Sequence, residues 1–220
     1  MKKVKFSLMV VLMAISTMAS AQFSNTKSSG SSAGNLFSGS RVDDYKRVQL
    51  SFVAAKPVFD GESEDATKGI SAGILWGKGI LDNVPLAVEF GANVNWTRYS
   101  EEESYYGYEI EEKNNFLNIT IPVNLAYHFA VNDDITVIPH VGLNMRFHIL
   151  AKTTEEADGE KEKTNWFDDY DAKRFQLGAN LGIGMTWQNY YLGYQFQADF
   201  MEFKEETKWR TNYITVGINF

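Results

Sequence analysis

Phe175-Gln176-Leu177-Gly178-Ala179-Asn180-Leu181-Gly182-Ile183-Gly184-Met185-Thr186-Trp187 sets two rows of side chains against each other. Phe175, Leu177, Ala179, Leu181, Ile183, Met185 and Trp187 form an apolar row, and Gln176, Gly178, Asn180, Gly182, Gly184 and Thr186 a small or polar one. A period of two over thirteen residues is the pattern of a strand whose faces meet different surroundings. The next segment repeats it, with Tyr190, Leu192, Tyr194, Phe196, Ala198 and Phe200 against Gly193, Gln195, Gln197 and Asp199. So does the end of the chain, with Ile214, Val216, Ile218 and Phe220 against Tyr213, Thr215, Gly217 and Asn219. Working back from these, the alternation predicts strands at roughly 47–55, 68–77, 84–98, 115–129 and 134–150. Leu117 to Phe129 and Val137 to Ile149 supply further apolar rows. The count is eight, and single-chain barrels of bacterial outer membranes have an even number of strands.

Two features set the greasy face outward. A soluble barrel keeps apolar side chains inside and charges in water, but here the polar rows are Gly, Asn, Gln, Ser and Thr, suited to a crowded bore. The connections also alternate in length: short near Gly77–Asn83, Val131–Asp134 and Gln188–Asn189, long at Lys56–Lys68, Ser100–Asn114, Lys152–Ala172 and Glu202–Arg210. Short periplasmic turns and long outer loops alternate this way in outer-membrane barrels. No run of about 20 apolar residues follows the first twenty positions, which excludes helical spans. The expected fold class is therefore all-β: an eight-stranded antiparallel up-and-down transmembrane β-barrel, a meander. Hydrocarbon offers no hydrogen-bond partners, so such a sheet must close on itself. Aromatics are expected at both interfaces, with Trp76, Tyr127, Phe129, Trp187 and Tyr190 low and Trp96, Phe147, Phe175 and Phe200 high.

The N-terminus has a cationic start (Lys2, Lys3, Lys5), a short apolar stretch from Phe6 to Ile15 and the small residues Ala19-Ser20-Ala21, so residues 1–21 are expected to be a signal peptide. Its removal takes away three lysines and no acid, making the formal net charge of -7 more negative still. Residues 22–45, centred on Ser28-Ser29-Gly30-Ser31-Ser32, form a flexible leader, and 46–220 the barrel domain. The chain has no cysteine, which removes disulfides and a lipid anchor as ways of holding it at a membrane. Nucleic-acid binding has no support in so acidic a chain.

Asn115-Phe116-Leu117-Asn118-Ile119-Thr120-Ile121-Pro122-Val123-Asn124-Leu125-Ala126-Tyr127, the Gly-rich strand from Gln176 to Trp187, and the ending Tyr213-Ile214-Thr215-Val216-Gly217-Ile218-Asn219-Phe220 resemble the PorT-like family of small outer-membrane β-barrel proteins. The resemblance spans about Arg47 to Phe220. It implies an outer-membrane location in a Gram-negative cell and supplies no functional residues. The terminal Phe220 resembles the signal read by the barrel-assembly machinery, an implied partner during biogenesis together with outer-membrane lipids.

An eight-stranded bore is filled by side chains, so ionisable residues pointing into it need partners. Glu89, His140, Arg146 and Asp199 point inward, with His128 and His148 nearer the ends. Counted from the periplasmic turns, Glu89 matches His140 in height and Arg146 matches Asp199. The expectation is a structural lumenal network of these four, against the alternative of a narrow ion or small-solute pore. A lipid-modifying enzyme is the alternative from another class, with His148, Ser100 and Ser104 toward the outside, but no spacing ties them into a catalytic set. The long connections are acidic (Glu101-Glu102-Glu103; Glu155-Glu156, Asp158, Glu160, Glu162; Asp168-Asp169, Asp171) and are read as mobile, self-repelling loops. Tyr105, Tyr106, Tyr108, Trp166, Phe167 and Tyr170 interleave with the acids, which suits a surface or glycan ligand. An ordered calcium-loop series is missing, and no cofactor or metal is expected. Asn95-Trp96-Thr97 and Asn118-Ile119-Thr120 match a glycosylation tripeptide but sit on inward positions. The expected role is structural or surface interaction, including service as an accessory in an envelope assembly.

Overall fold

A computed structural model of the protein describes residues 40–59, 62–63, 66–105, 108–157 and 160–220. The signal peptide expected at 1–21 and most of the leader lie outside the described residues. The elements are β1 (Tyr45–Phe59), β2 (Glu62–Ser63), β3 (Thr67–Gly79), β4 (Leu86–Tyr105), β5 (Tyr108–Tyr127), β6 (Phe129–Ala130), β7 (Ile135–Ala157), β8 (Glu160–Asn165), α1 (Trp166–Asp169), β9 (Phe175–Trp187), β10 (Tyr190–Asp199) and β11 (Thr207–Asn219). Eight of the strands form one antiparallel sheet in the order β11-β10-β9-β7-β5-β4-β3-β1. β1 then pairs with β11 from Arg47↔Asn219 to Phe59↔Thr207, so the sheet closes without an edge. Among these eight, each strand pairs with the ones before and after it in chain order except at this seam, which makes the barrel an up-and-down meander.

Closure follows from the side chains. On β1, Arg47, Ser51, Val53 and Ala55 are buried while Val48, Leu50 and Phe52 are exposed. The same division holds on β11, where Trp209, Thr211, Tyr213 and Thr215 are buried and Ile214, Val216 and Ile218 are not. Leu50 is 61% exposed and Ile70 62%, and they belong to a belt of exposed Val, Leu, Ile, Phe and Met that runs around the barrel. A continuous apolar surface of that extent has no place in water, whereas outward-apolar strands closed into a barrel fit hydrocarbon. Aromatic side chains border the belt. Trp187 and Tyr190 flank the tight turn at Gln188-Asn189 with ring centroids 6.2 Å apart, and Trp76 stacks on Phe90 at 5.8 Å. Trp96, Phe147, Phe175 and Phe200 are exposed on the other side. Leu50 stands in the middle of the outward row that runs from Lys46 to Lys56, and replacing it by arginine is expected to cost about 2–4 kcal/mol. Urea titration in lipid vesicles checks this, and an unchanged midpoint would remove Leu50 from the lipid face.

Two of the long connections are not loops. β4 and β5 stay paired from Leu86↔Tyr127 to Tyr105↔Tyr108, so most of Ser100–Asn114 is hairpin. Lys152–Ala172 contains the end of β7, all of β8, paired from Lys152↔Asn165 to Ala157↔Glu160, and α1. The acidic sequence favours solvated coil, but each segment continues a strand already held in register below it. One irregularity interrupts the ladder. Leu117 opposes Leu150 while Asn118 opposes His148, leaving Ile149 as an extra residue in β7.

Candidate functional site

The bore is packed in two ionic layers. In the lower one, Arg47 Nη2 lies 3.2 Å from Glu89 Oε1, and both side chains are buried. Tyr45 donates its phenol to the same carboxylate and approaches His128 Nε2 at 3.4 Å. The Arg47 guanidinium also sits 3.5 Å from the centre of the Tyr191 ring, a cation–π contact. Glu89 is thus paired with Arg47, which sequence reasoning missed. His140, expected at the height of Glu89, has its ring hydrogen-bonded to Gln195 Oε1 at 3.2 Å.

In the upper layer Arg146 Nη1 stands 3.0 Å from Asp199 Oδ2, and Arg146 Nη2 donates to Thr211 Oγ1 at 2.8 Å. Gln197 Nε2 donates to Asn144 Oδ1 at 2.7 Å and to Asp199 Oδ1 at 3.2 Å. Gln176 lies between Asp199 and the β10–β11 connection. With its amide nitrogen toward Asp199 Oδ2 (2.9 Å), its oxygen accepts from Phe203 N (3.0 Å). Both ion pairs skip a strand, β1 to β4 over β3 and β7 to β10 over β9.

Glycine makes room for these side chains. A Cβ on Gly182 would come within 2.4 Å of the His140 ring, one on Gly184 within 2.4 Å of Tyr191, and one on Gly178 within 2.7 Å of Asp199 Oδ1. The Gly-rich row of β9 is therefore the floor on which the large polar residues lie.

Above the upper layer an aromatic cap closes the outer end. Phe203 is fully buried and meets Phe116 at 6.4 Å, Trp209 at 5.8 Å, Trp166 at 5.8 Å and His148 at 4.7 Å between ring centres. Ala55, Ala151 and Ala172 complete the cluster. Phe116 and Trp209 point inward from the wall, whereas Phe203 and Trp166 come from connections folded over the mouth. Lys173 N donates to Phe203 O at 2.7 Å and Phe203 N to Thr207 O at 2.7 Å, fixing the plug. The indole of Trp166 donates to Thr153 Oγ1 at 2.7 Å. Losing that bond in Trp166→Phe should cost about 1 kcal/mol, readable as a lowered unfolding midpoint. An unchanged midpoint would mean the bond adds nothing net. Between the ionic layers remains a cavity of about 30 Å³, lined by Asn124, His140 and Gln195 among others, and between the upper layer and the cap one of about 10 Å³, lined by Asn95, Arg146, His148 and Trp209 among others. Each holds a water-sized occupant at most.

β4, β5, β7 and β8 continue past the cap as a four-stranded sheet. On its inner face Glu101 opposes Glu112, Glu112 opposes Glu155, and Glu155 opposes Glu162. Like charges directly opposite across strands repel. Beneath them opens a cleft of about 440 Å³, lined by Tyr99, Glu101, Glu112, Phe116, Trp166 and Trp209 among others. Trp209 is 3% exposed, and its indole nitrogen has no hydrogen-bond partner among the described residues. The outer face differs, since Lys113 pairs with Glu111, and Lys161 Nζ reaches Glu156 at 3.0 Å.

The residues considered for catalysis are kept apart. His148 is 1% exposed under the cap with Nε2 3.3 Å from the side-chain amide of Gln176, while Ser100 is exposed on the outer face and donates to Glu111 at 3.3 Å. The Ser104 side chain is outside the described residues. No group of three metal-ligating side chains occurs among the described residues. Asn95 and Asn118 are buried and bonded to each other at 2.7 Å.

The closed meander, the outward apolar belt and the filled bore define a small transmembrane β-barrel of the outer-membrane class. Among solved structures the chain is similar to the attachment invasion locus protein Ail of Yersinia pestis (14% identity, covering 81% of this chain and 100% of that one, TM-score 0.46). It is also similar to Neisserial surface protein A (15% identity, 79% and 95% covered, TM-score 0.45) and to OprG of Pseudomonas aeruginosa (7% identity, 83% and 98% covered, TM-score 0.40). No protein-family model and no curated protein matches the chain. The barrel plan rests on this chain's own strand pairing, and no ligand, partner or role is carried over from these neighbours.

Proposed function

We propose that this protein resides in the outer membrane of a Gram-negative cell and works at the cell surface through the sheet raised on β4, β5, β7 and β8, not as a channel. One observation carries the reading: the bore is blocked by ionic layers and an aromatic cap, while the open clefts lie outside it, one of about 440 Å³ against Tyr99, Trp166 and the row of glutamates and one of about 590 Å³ against Glu202, Glu206, Lys208 and Arg210. Aromatic faces beside carboxylates suit a ligand that stacks and donates hydrogen bonds, such as a glycan, or one that carries positive charge. The lumenal set Glu89, His140, Arg146 and Asp199, with Arg47, then has a structural role.

The test replaces residues 154–163 by a short turn, which removes the β7–β8 projection and leaves Thr153 and Trp166. Vesicles bearing either form are passed over immobilised glycans and over immobilised Lys-rich peptide. Retention of the full-length protein on either surface, lost in the shortened form, supports the reading. Equal retention of both forms, or of neither, contradicts it. In planar bilayers the protein should give no large stable conductance, and a steady open channel would overturn the blocked bore.

A further inference from the structure

A second charged surface, of opposite sign, lies on the outside of the barrel just above the apolar belt. Closure of the seam sets Lys56 directly opposite Arg210, and the β3–β4 pairing sets Lys68 directly opposite Arg98. All four are exposed, and each flanks an inward, buried residue (Ala55, Trp209, Thr67 and Thr97), so alternation turns them outward. The strands are consecutive around the ring, β11-β1-β3-β4, and Lys68 lies opposite Ala54, one step below Lys56 on the same face. The four cations therefore form one band. Ile70 and Trp96, the next outward residues below Lys68 and Arg98, belong to the belt, which fixes the band at the upper margin of the hydrocarbon.

The band carries a local conflict. Like charges directly opposite on neighbouring strands repel, and here two such pairs adjoin. No acid occupies an outward position on β1, β3 or β11, or on β4 as far as Ser100, and two acids of the β10–β11 connection, Glu202 and Glu206, share a cleft with Arg210 and with Lys208. Glu111, on the outer face of the neighbouring β5, is engaged by Lys113 and Ser100 and lies close enough to feel the charge of Arg98, without forming an ion pair with it. None of the four cations forms an ion pair among the described residues. An anion seated between each pair would turn the repulsion into two attractions. At this height the available anions are lipid headgroups. Arginine's planar fork matches phosphate oxygens, and long basic side chains reach from the margin of the hydrocarbon to the headgroup layer.

We propose that Lys56, Lys68, Arg98 and Arg210 form a docking band for phosphate-bearing lipid headgroups of the outward leaflet. The inference rests on the membrane-spanning reading of the barrel. It adds a lipid preference that the reading does not require, and it is independent of the ligand of the outer sheet.

The test uses the full chain folded into three kinds of vesicle: phosphatidylcholine alone, phosphatidylcholine with phosphatidic acid, and phosphatidylcholine with a fatty acid of matched charge. Folding is read from heat-modifiable gel mobility, and lipid retained through detergent extraction is counted by native mass spectrometry. Wild type should retain phosphatidic acid selectively. The variant K56Q/K68Q/R98Q/R210Q should bind it ~30-fold or more weakly, since each cation near an anionic surface contributes enough that losing two already gives that factor. The control K46Q/K78Q, at the periplasmic end, should keep wild-type retention. If the quadruple variant fails to fold, K68Q/R98Q carries the same comparison. Undiminished retention by the neutralised variant, equal loss in the control, or equal retention of the fatty acid would each overturn the proposal. Failure of the wild type to fold into any of the three vesicles would instead overturn the membrane-spanning reading.

Discussion

Arg146→Met is expected to destabilise the folded barrel by about 3–5 kcal/mol, the usual cost of removing one partner from a buried ion pair. The Asp199 carboxylate is fully buried, and its remaining contacts, Gln197 and Gln176, are neutral. Removing the guanidinium leaves that charge without its counterion and leaves Thr211 without its 2.8 Å donor. The double change Arg146→Met with Asp199→Leu should be far less destabilising, because the cost lies in the orphaned charge more than in the missing attraction. Urea titration in vesicles, followed by gel mobility, gives both midpoints. Equal losses in the single and double variants would show that packing, not charge, sets the effect.

A second large loss is expected at the other end of the same network. Phe203→Ala removes a fully buried ring that touches Phe116, Trp166, Trp209 and His148, and truncations of that kind cost about 3–5 kcal/mol. Because Phe203 reaches the bore from a connection, its loss should act first on the cap and only then on the strands. Amide hydrogen exchange should rise at Lys173, whose N–H bonds to Phe203 O, before it rises in β9 or β10. Simultaneous loss of protection in cap and wall would mean that the plug and barrel unfold as one unit, and unchanged stability would remove Phe203 from the structural role assigned to it.

The sequence made the wall legible because lipid and bore impose opposite demands on adjacent residues. Phe175 to Trp187 could satisfy both only by alternating, and Gly178, Gly182 and Gly184 already marked the inner side. The partners across the bore were less visible. Arg146 and Asp199 could be matched by height, and so could Glu89 and His140, which line one cavity, but the ion-pair partner of Glu89 is Arg47, which that count did not find. That contact depends on strand tilt and on closure at the β1–β11 seam, neither of which leaves a mark on a single strand. The cap was illegible for another reason. Phe203 and Trp166 stand in segments with no period, so nothing in their spacing distinguishes a plug from an exposed ring. The acidic hairpins misled in the opposite direction: Glu101-Glu102-Glu103 and Glu155-Glu156 have the composition of coil, yet inherit pairing from Arg98↔Asn115 and Asn115↔Lys152 beneath them.

The extra residue in β7 decides what the cell's surroundings meet. Up to His148 the even-numbered side chains of this strand look into the barrel. Past Ile149 the odd-numbered ones do, so Ala151, Thr153 and Glu155 take the inner side. A strand without that added step would have turned Lys152 and Thr154 toward the mouth and Glu155 away from it, since a shift of one position exchanges the faces. The bulge works as a polarity switch written in backbone: a single insertion lets a greasy-outside cylinder carry, on the same strand, a vestibule of chosen charge.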